Sequence, residues 1–256
     1  MSFLDNLATN ALDTLQPNDV RFAALLTPQG KIQFEFFALR TSDGFLLDTL
    51  KAKSAELIKR LTLYKLRAKV TIADDTSAVS VSPTPAGLSF VDPRHVDLGF
   101  RCIGCDVRTG DTRAYHTQRV ALGIPEASRD YPLGDTFPHE ANYDLVHGVS
   151  FTKGCFVGQE VVARMQNKTV VRKRVVKIAG ESALTEGAPI LLADAEIGRI
   201  GSVDGNNALA MLRLDRASEA RDKGLSLAAH GVAITPEPAA LARYAQSVID
   251  RPVIDL

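Results

Sequence analysis

The chain has 256 residues, with 30 basic and 30 acidic side chains and no net charge. It is therefore long enough to bury a core in one large domain or two to three small ones, and it lacks the electrostatic footprint of a general nucleic-acid binder. There is no long unbroken apolar run and no charged-then-apolar leader, so neither a membrane span nor a secretory signal is expected, and the three cysteines, an odd number, argue against a disulfide scaffold and for a reducing compartment, by default the cytoplasm.

In chain order, Val20–Leu26 and Lys31–Leu39 are apolar runs separated by Thr27-Pro28-Gln29-Gly30, which predicts a β-hairpin. Gly44–Leu50 predicts another strand. Ser54–Leu66 predicts a helix with Ser54 at its cap and Leu57, Leu61 and Tyr64 on one face. Its Lys59, Arg60, Lys65 and Arg67 fall largely elsewhere on the surface, either as a solvated face or as one that attracts an acidic partner. Val70–Ala73, Ala78–Ser82 and Leu88–Val91 read as short strands, Asp92-Pro93-Arg94 as the start of a turn, and Val96–Ile103 as a segment that pairs back into the sheet. Cys102 and Cys105 form a C-x-x-C pair at the end of that segment, which taken alone suits a redox dithiol or half of a zinc site; no second ligand pair is evident in the sequence, so a structural role is preferred to either. Thr112–Leu122 is a second helix, closed by Pro125. Strands grouped around few helices predict an α+β arrangement rather than a parallel α/β fold.

Asp130–Tyr143, with Pro132, Gly134 and Pro138, predicts an ordered loop, the kind of segment on which binding groups sit. From Arg164 to Lys177 there are six basic residues and no acidic one, which suits either recognition of a carboxylate-bearing ligand or an exposed strand edge protected by charge. After Gly180, short strands at Pro189–Ala193, Glu196–Val203, Ala208–Leu212, Leu225–Ala228 and Val232–Thr235 predict a small β-barrel. Leu241–Ser247 predicts a short helix after it.

The densest chemistry lies in Lys153-Gly154-Cys155-Phe156-Val157-Gly158-Gln159-Glu160. A cysteine reacts as its thiolate, which a neighbouring Lys or a helix start favours; Lys153 and a helix opening near Gly158 offer both. Gly154 would let the backbone turn sharply or a flat ligand approach it, and Gln159 and Glu160 bring donors and acceptors. Taken as a bare turn, the same residues also suit a tight connection with Cys155 buried as a small hydrophobe.

The full string resembles the signature of the folate-binding YgfZ family, relatives of the glycine cleavage T-protein that include the mitochondrial type of iron–sulfur cluster assembly factor. Its fixed positions, Lys-Gly-Cys, an aromatic, any residue, then Gly-Gln-Glu, all match. Phe3–Asn10, Leu26–Ile32, Leu63–Val70, Asp92-Pro93-Arg94, Pro138–Asp144, Gly148–Phe151 and Val161–Arg164 are similar to further family blocks, so the similarity covers almost the whole chain. The Phe3–Asn10 block normally follows an opening strand and turn that are not seen ahead of it here.

The resemblance implies an α+β, T-protein-like multi-domain arrangement around a central cleft: a folate-binding part over residues 1–152, the motif and linker over 153–169, and a C-terminal β-barrel over 170–256. It implies tetrahydrofolate or a derivative as cofactor, with Glu35, Asn142 and Asp144 near the pterin, Arg172 toward the folate tail, Gly154, Gly158, Gln159 and Glu160 shaping the loop, and Lys153 stabilising a Cys155 thiolate. The implied role is accessory, in assembly or repair of iron–sulfur clusters with the assembly machinery or client enzymes as partners, since three cysteines spread this way cannot hold a four-Cys cluster. An aminomethyl- or methyltransferase of the T-protein type is the alternative. It is disfavoured by Phe34 and Glu35, which stand where active T-proteins carry consecutive aspartates, because a missing or lengthened carboxylate displaces a general base. A cysteine-dependent hydrolase or oxidoreductase lacks a visible His partner in a nucleophile motif.

Overall fold

The computed structural model describes residues 3–105 and 111–250. The chain forms two compact units: Met1–Asp111, Leu133–Asp135 and Tyr143–Glu160 make the first, and Thr112–Pro132, Thr136–Asn142 and Val161–Leu256 the second.

In the first unit, β1 (Val20–Leu26) and β2 (Ile32–Arg40) form the expected antiparallel hairpin, Val20 opposite Leu39 and Leu25 opposite Phe34, and β3 (Phe45–Thr49) pairs along the other edge of β2. Side chains alternate across a strand, so Phe34, Phe36 and Ala38 point to one face, where they pack with Leu4, Leu7 and Leu12 and with Leu57 and Leu61 of α1 (Lys51–Lys65). The opposite face of β2 carries Glu35 and Phe37. There the Phe37 ring lies 5.2 Å from that of Phe22, with the guanidinium groups of Arg94 and Arg101 over it at 4.8 and 4.3 Å. Both cations, Arg94 buried and Arg101 half-buried, are neutralised locally: Arg94 donates to Asp92 through Nε and Nη2 at 3.0 and 2.7 Å, and Arg101 Nε donates to Asp48 at 2.7 Å. Pairing of this kind makes burial of a charge tolerable.

Three local expectations are corrected in this unit. The helix α1 begins at Lys51, and Ser54, instead of capping it, donates from Oγ to the Lys51 carbonyl at 3.0 Å. Residues 70–73 have no ladder partner and are irregular. Val96–Leu98 is a single 3-10 turn that ends at Gly99, which has φ 76° and where a Cβ would stand only 2.6 Å from the Ser82 carbonyl oxygen. The strand proper, β6 (Phe100–Ile103), lies between β4 (Val79–Ser82) and β5 (Leu88–Val91).

The second unit opens with α2 (Thr112–Leu122), as the periodicity predicts, and α3 (Gln159–Lys168) leads into a closed barrel. Its strands are β7 (Lys173–Gly180), β8 (Pro189–Leu192), β9 (Ala195–Asp204), β10 (Asn207–Arg213), β11 (Leu227–Ala229) and β12 (Val232–Pro236), in the order β10-β7-β12-β11-β8-β9. Val176, Ile178, Ile190, Ile197, Ile200 and Leu212 fill its core. Two helices not fully read from the sequence join it: α4 (Leu214–Asp222), and α5 (Pro238–Asp250), which is longer than the Leu241–Ser247 segment expected.

Arg119 of α2 is fully buried against this unit. It donates from Nη1 to Asp130 at 2.6 Å and to the Ile124 carbonyl at 2.9 Å, and from Nη2 to Ser202 of β9. The first half of β7 lies beyond the reach of β12, which pairs only with Ile178–Gly180. The loop before residue 143 fills that gap: Val175 N donates to the Glu140 carbonyl at 2.8 Å, and Asn142 Nδ2 donates to the Val175 carbonyl at 2.9 Å. Pairing of this kind occupies a stretch of strand edge that another chain could otherwise use.

Candidate functional site

Cys155 sits on a loop whose flanks are fastened and whose thiol side is open. Cys155 and Gly154 are exposed, whereas Phe156 beside them is buried. On the upstream side, Ser150 N donates to the Thr9 carbonyl at 3.0 Å and Lys153 N donates to Ser150 Oγ at 3.2 Å. The Lys153 ammonium then reaches into the N-terminal segment, donating to the carbonyls of Asp5, Ala8 and Asn10 at 2.5, 2.8 and 3.0 Å, with the Asp5 carboxylate at 3.6 Å. Its side chain is only 3% exposed. Desolvation of the buried ammonium pushes its pKa below the usual lysine value, against the pull of the Asp5 charge.

The residues that receive Lys153 are themselves fixed. Asp5 Oδ1 accepts from the amides of Leu12 and Asp13, Thr9 Oγ1 donates to the Gly148 carbonyl, and Asn10 Nδ2 donates to the carbonyls of Phe22 and His147. A lysine ammonium has three donors, and all three are engaged here. Lys153 thus tethers the loop, its three donors going to the carbonyls of the N-terminal segment. Its charge also lies 5.4 Å from the Phe156 ring centroid, a cation–π distance.

On the downstream side Gly158 adopts φ 79°, and a Cβ there would stand 2.8 Å from the Thr27 carbonyl oxygen and 2.9 Å from Gly30 Cα. Both are backbone atoms of the β1–β2 turn, so a glycine is required. Gly154, in contrast, is not among the positive-φ residues. Gln159 and Glu160 are the first residues of α3, where an acid in the first turn complements the helix dipole. The helix thus opens four residues beyond Cys155 and not at it.

The other thiols are differently placed. Cys102 is fully buried in β6, and Cys105 donates from Sγ to the Ala86 carbonyl at 3.0 Å. Among the described residues, no group of three or more His, Cys, Asp or Glu side chains is positioned to hold a metal ion, and no helix is long and apolar enough to cross a membrane.

Glu35 is buried on β2, its carboxylate accepting from the Tyr143 hydroxyl at 3.2 Å. The Tyr143 ring packs 4.8 Å from that of Phe22, and it does so over Gly148, where a Cβ would come within 2.4 Å of the ring. Tyr143, Asp5 and Asn10 fall within the family-like stretches Pro138–Asp144 and Phe3–Asn10, but nothing local in the sequence marks their partners. Asp144 is half-buried next to it.

Asn142 and Arg172 belong to the second unit. Both polar atoms of Asn142 serve the barrel, Nδ2 donating to Val175 and Oδ1 accepting from Arg174 at 3.2 Å. Arg172 is exposed, and its carbonyl accepts from Leu214 N at 2.7 Å.

Comparison with known proteins gives these features a context. Residues 172–244 match the family described as CAF17, C-terminal beta-barrel domain. Over 227 residues the chain is 31% identical to the mitochondrial iron–sulfur cluster assembly factor IBA57 of Homo sapiens, covering 75% of this chain and 64% of that protein. The IBA57 homologue of Mycosarcoma maydis is 32% identical over 211 residues, 70% of this chain and 52% of that protein. The Mus musculus protein is 29% identical over 257 residues, 82% of this chain and 72% of its own length. The chain therefore spans between about half and three quarters of the length of these relatives. In three dimensions it is similar to the glycine cleavage system aminomethyltransferase T of Bartonella henselae, with a TM-score of 0.64 and 14% identity over 93% of this chain and 80% of that one.

These matches narrow one expectation and correct another. The expected likeness to iron–sulfur cluster assembly factors of the mitochondrial type is seen, and these relatives carry the IBA57 name rather than that of YgfZ. They are also named as mitochondrial, which overturns the assignment to the cytoplasm: cysteine usage reports a reducing environment, and that is not a property of the cytoplasm alone. In sequence the chain is similar to the IBA57 iron–sulfur cluster assembly factors, in fold to aminomethyltransferase T, and residues 172–244 match the CAF17 C-terminal beta-barrel domain.

Proposed function

We propose that this chain is an accessory factor in iron–sulfur cluster assembly, with Cys155 as the group that meets the cluster or its carrier, and that it binds tetrahydrofolate with Glu35 among the contacts. The observation that carries the reading is the presentation of Cys155: an exposed thiol on a loop held by the buried Lys153 tether and by buried Phe156. A reactive thiol needs access to its partner and a fixed position, and this loop supplies both. The names of the relatives support the same role. With Cys102 buried and Cys105 half-buried, one chain offers a single exposed thiol, so the cluster is cargo whose other ligands come from its carrier or recipient.

For tetrahydrofolate, the buried Glu35 carboxylate, oriented by the hydrogen bond it accepts from the Tyr143 hydroxyl, is an acceptor of the kind that suits the N–H donors of a pterin edge. Asn142 does not fit that role, because its amide is engaged by β7. The aminomethyltransferase alternative gains nothing from the site, since Phe34 is buried among Leu4, Leu25 and Leu57 on the face of β2 opposite Glu35.

The test pairs two measurements. Cys155→Ser, expressed in cells depleted of the native chain, is expected to leave four-iron enzymes inactive while the protein accumulates normally; full restoration by that variant would remove Cys155 from the role. Calorimetric titration of tetrahydrofolate into the purified chain is expected to show saturable binding that Glu35→Gln weakens by about tenfold, the loss of one charge-assisted contact. Absence of heat with the unaltered chain would remove the folate assignment and leave the cysteine assignment standing.

A further inference from the structure

The chain as a whole has no net charge, yet the stretch from Lys51 to Lys69 carries seven basic side chains against the single acid Glu56. Lys53 pairs with Glu56 at 2.9 Å. Among the described residues, Lys51, Lys59, Arg60, Lys65, Arg67 and Lys69 form no salt bridge. Cations near a helix C-terminus complement its dipole, which accounts for Lys65 and its neighbours but not for Lys59 and Arg60 in the middle of α1.

Solvation alone does not explain what lies between these charges. Leu63 is 62% exposed and Leu66 is 88% exposed, whereas Leu57 and Leu61 of the same helix are 3% and 5% exposed. Residues three and four apart are neighbours on a helix surface, so Leu63 stands beside Lys59 and Arg60 on the face turned away from the core. Leu66 ends the helix at φ 44°, a conformation that disfavours side chains with a Cβ. Two apolar side chains, one in a strained backbone setting, thus stand open to water inside a cationic patch.

We infer that the outer face of the C-terminal half of α1 is a docking surface for an acidic protein segment that carries apolar side chains. The cations attract the segment and set its on-rate, and Leu63 and Leu66 supply the desolvated contact that such interfaces need at their centre. A nucleic acid would satisfy the cations and leave both leucines without a complement. A membrane surface is disfavoured because an interfacial helix lays its apolar stripe into lipid, and the stripe of α1 is occupied by the protein core. The surface is separate from the Cys155 loop in sequence and does not depend on the role assigned to it.

The experiment measures fluorescence anisotropy of a labelled synthetic peptide of repeating Glu-Leu-Asp-Glu-Leu units against the full chain. Comparison arms use an oligoglutamate of equal charge, a DNA duplex and phosphatidylserine vesicles. The expected result is saturable, salt-sensitive binding of the peptide, weakened about tenfold by the charge reversals Lys59→Glu and Arg60→Glu together. Leu63→Ser with Leu66→Ser is expected to weaken the peptide several-fold while leaving oligoglutamate unaffected. Lys59, Leu63 and Leu66 are exposed and Arg60 is half-buried, so melting temperatures should change little; the milder Lys59→Gln with Arg60→Gln serves if the reversals disturb folding. No saturable binding, insensitivity to either pair of substitutions, or equal or tighter binding by oligoglutamate, duplex or vesicles overturns the inference.

Discussion

The ammonium of Lys153 lies 2.5 Å from the carbonyl oxygen of Asp5, a residue 148 positions earlier in the chain. That contact, with those to Ala8 and Asn10, makes the N-terminal segment part of the cysteine loop. Replacing Lys153 with Met keeps most of the side-chain volume but removes the donors from three carbonyls. Each unsatisfied buried polar group costs roughly 1–3 kcal/mol, and water entering the opened loop recovers part of it. A loss of about 3 kcal/mol in chemical denaturation is expected, together with faster hydrogen exchange at residues 5–10 and 150–156. Unchanged exchange there would show that the tether does not hold the loop.

The same side chain has a pH signature. Its folded pKa is lowered, chiefly by burial, so between that lowered value and 10.5 the unfolded chain binds more protons than the folded one. Stability contributed by Lys153 therefore rises with pH through that window. The stability of the native chain relative to Lys153→Met is expected to increase as pH approaches 10.5, and a gap that narrows instead would contradict the burial of the ammonium.

Gly158 admits no Cβ. Alanine there must adopt φ 79° and press on the Thr27 carbonyl oxygen and Gly30 Cα, neither of which can swing aside as a flexible side chain does. The left-handed conformation alone costs about 1–2 kcal/mol. We expect Gly158→Ala to lower stability by about 2–3 kcal/mol and to move the Cys155 loop enough to change its alkylation rate by iodoacetamide, whereas Gly154→Ala, at a position outside the positive-φ set, should alter stability by less than half as much.

Arg119 and Asp130 form a fully buried pair at 2.6 Å. Removing one member of such a pair leaves an uncompensated charge, at roughly 3–5 kcal/mol. Arg119→Met should therefore be strongly destabilising to the second unit, read as the drop in unfolding free energy; a double change with Asp130→Asn, which removes the charge and keeps an acceptor for the Ser202 amide, should recover part of it. Equal stability of the single and double variants would argue against charge burial as the cause.

Much of the fold follows from local pattern. The β1–β2 hairpin and α2 are where turn chemistry and periodicity place them, and the short strands after Gly180 close into a barrel. The elements that escape detection have non-local causes. Lys173-Arg174-Val175-Val176-Lys177 reads as a basic run because Arg174 points inward to Asn142, so the alternation that marks a strand is broken. Ser54 has the chemistry of a cap, but α1 starts earlier, at Lys51, behind Leu50, which makes no side-chain cap. At the site, Cys155, Gly158 and Glu35 were legible as unusual residues in a dense motif or strand. The destination of Lys153 was not, since its partners lie nearly the length of the unit away, and Asn142 was drawn to β7 by a strand edge that no local pattern reveals.

The second unit is assembled from separate stretches of chain, with α2 and the 136–142 loop preceding the barrel strands they cover. During synthesis, Arg119 emerges 83 residues before its partner Ser202, and Asn142 33 residues before Val175. The nascent chain must hold these polar groups hydrated until the barrel closes, so the unit matures late and nearly at once. A fragment cut at the start of the barrel would retain every strand and still expose the first half of β7, making it prone to pair with its own copies.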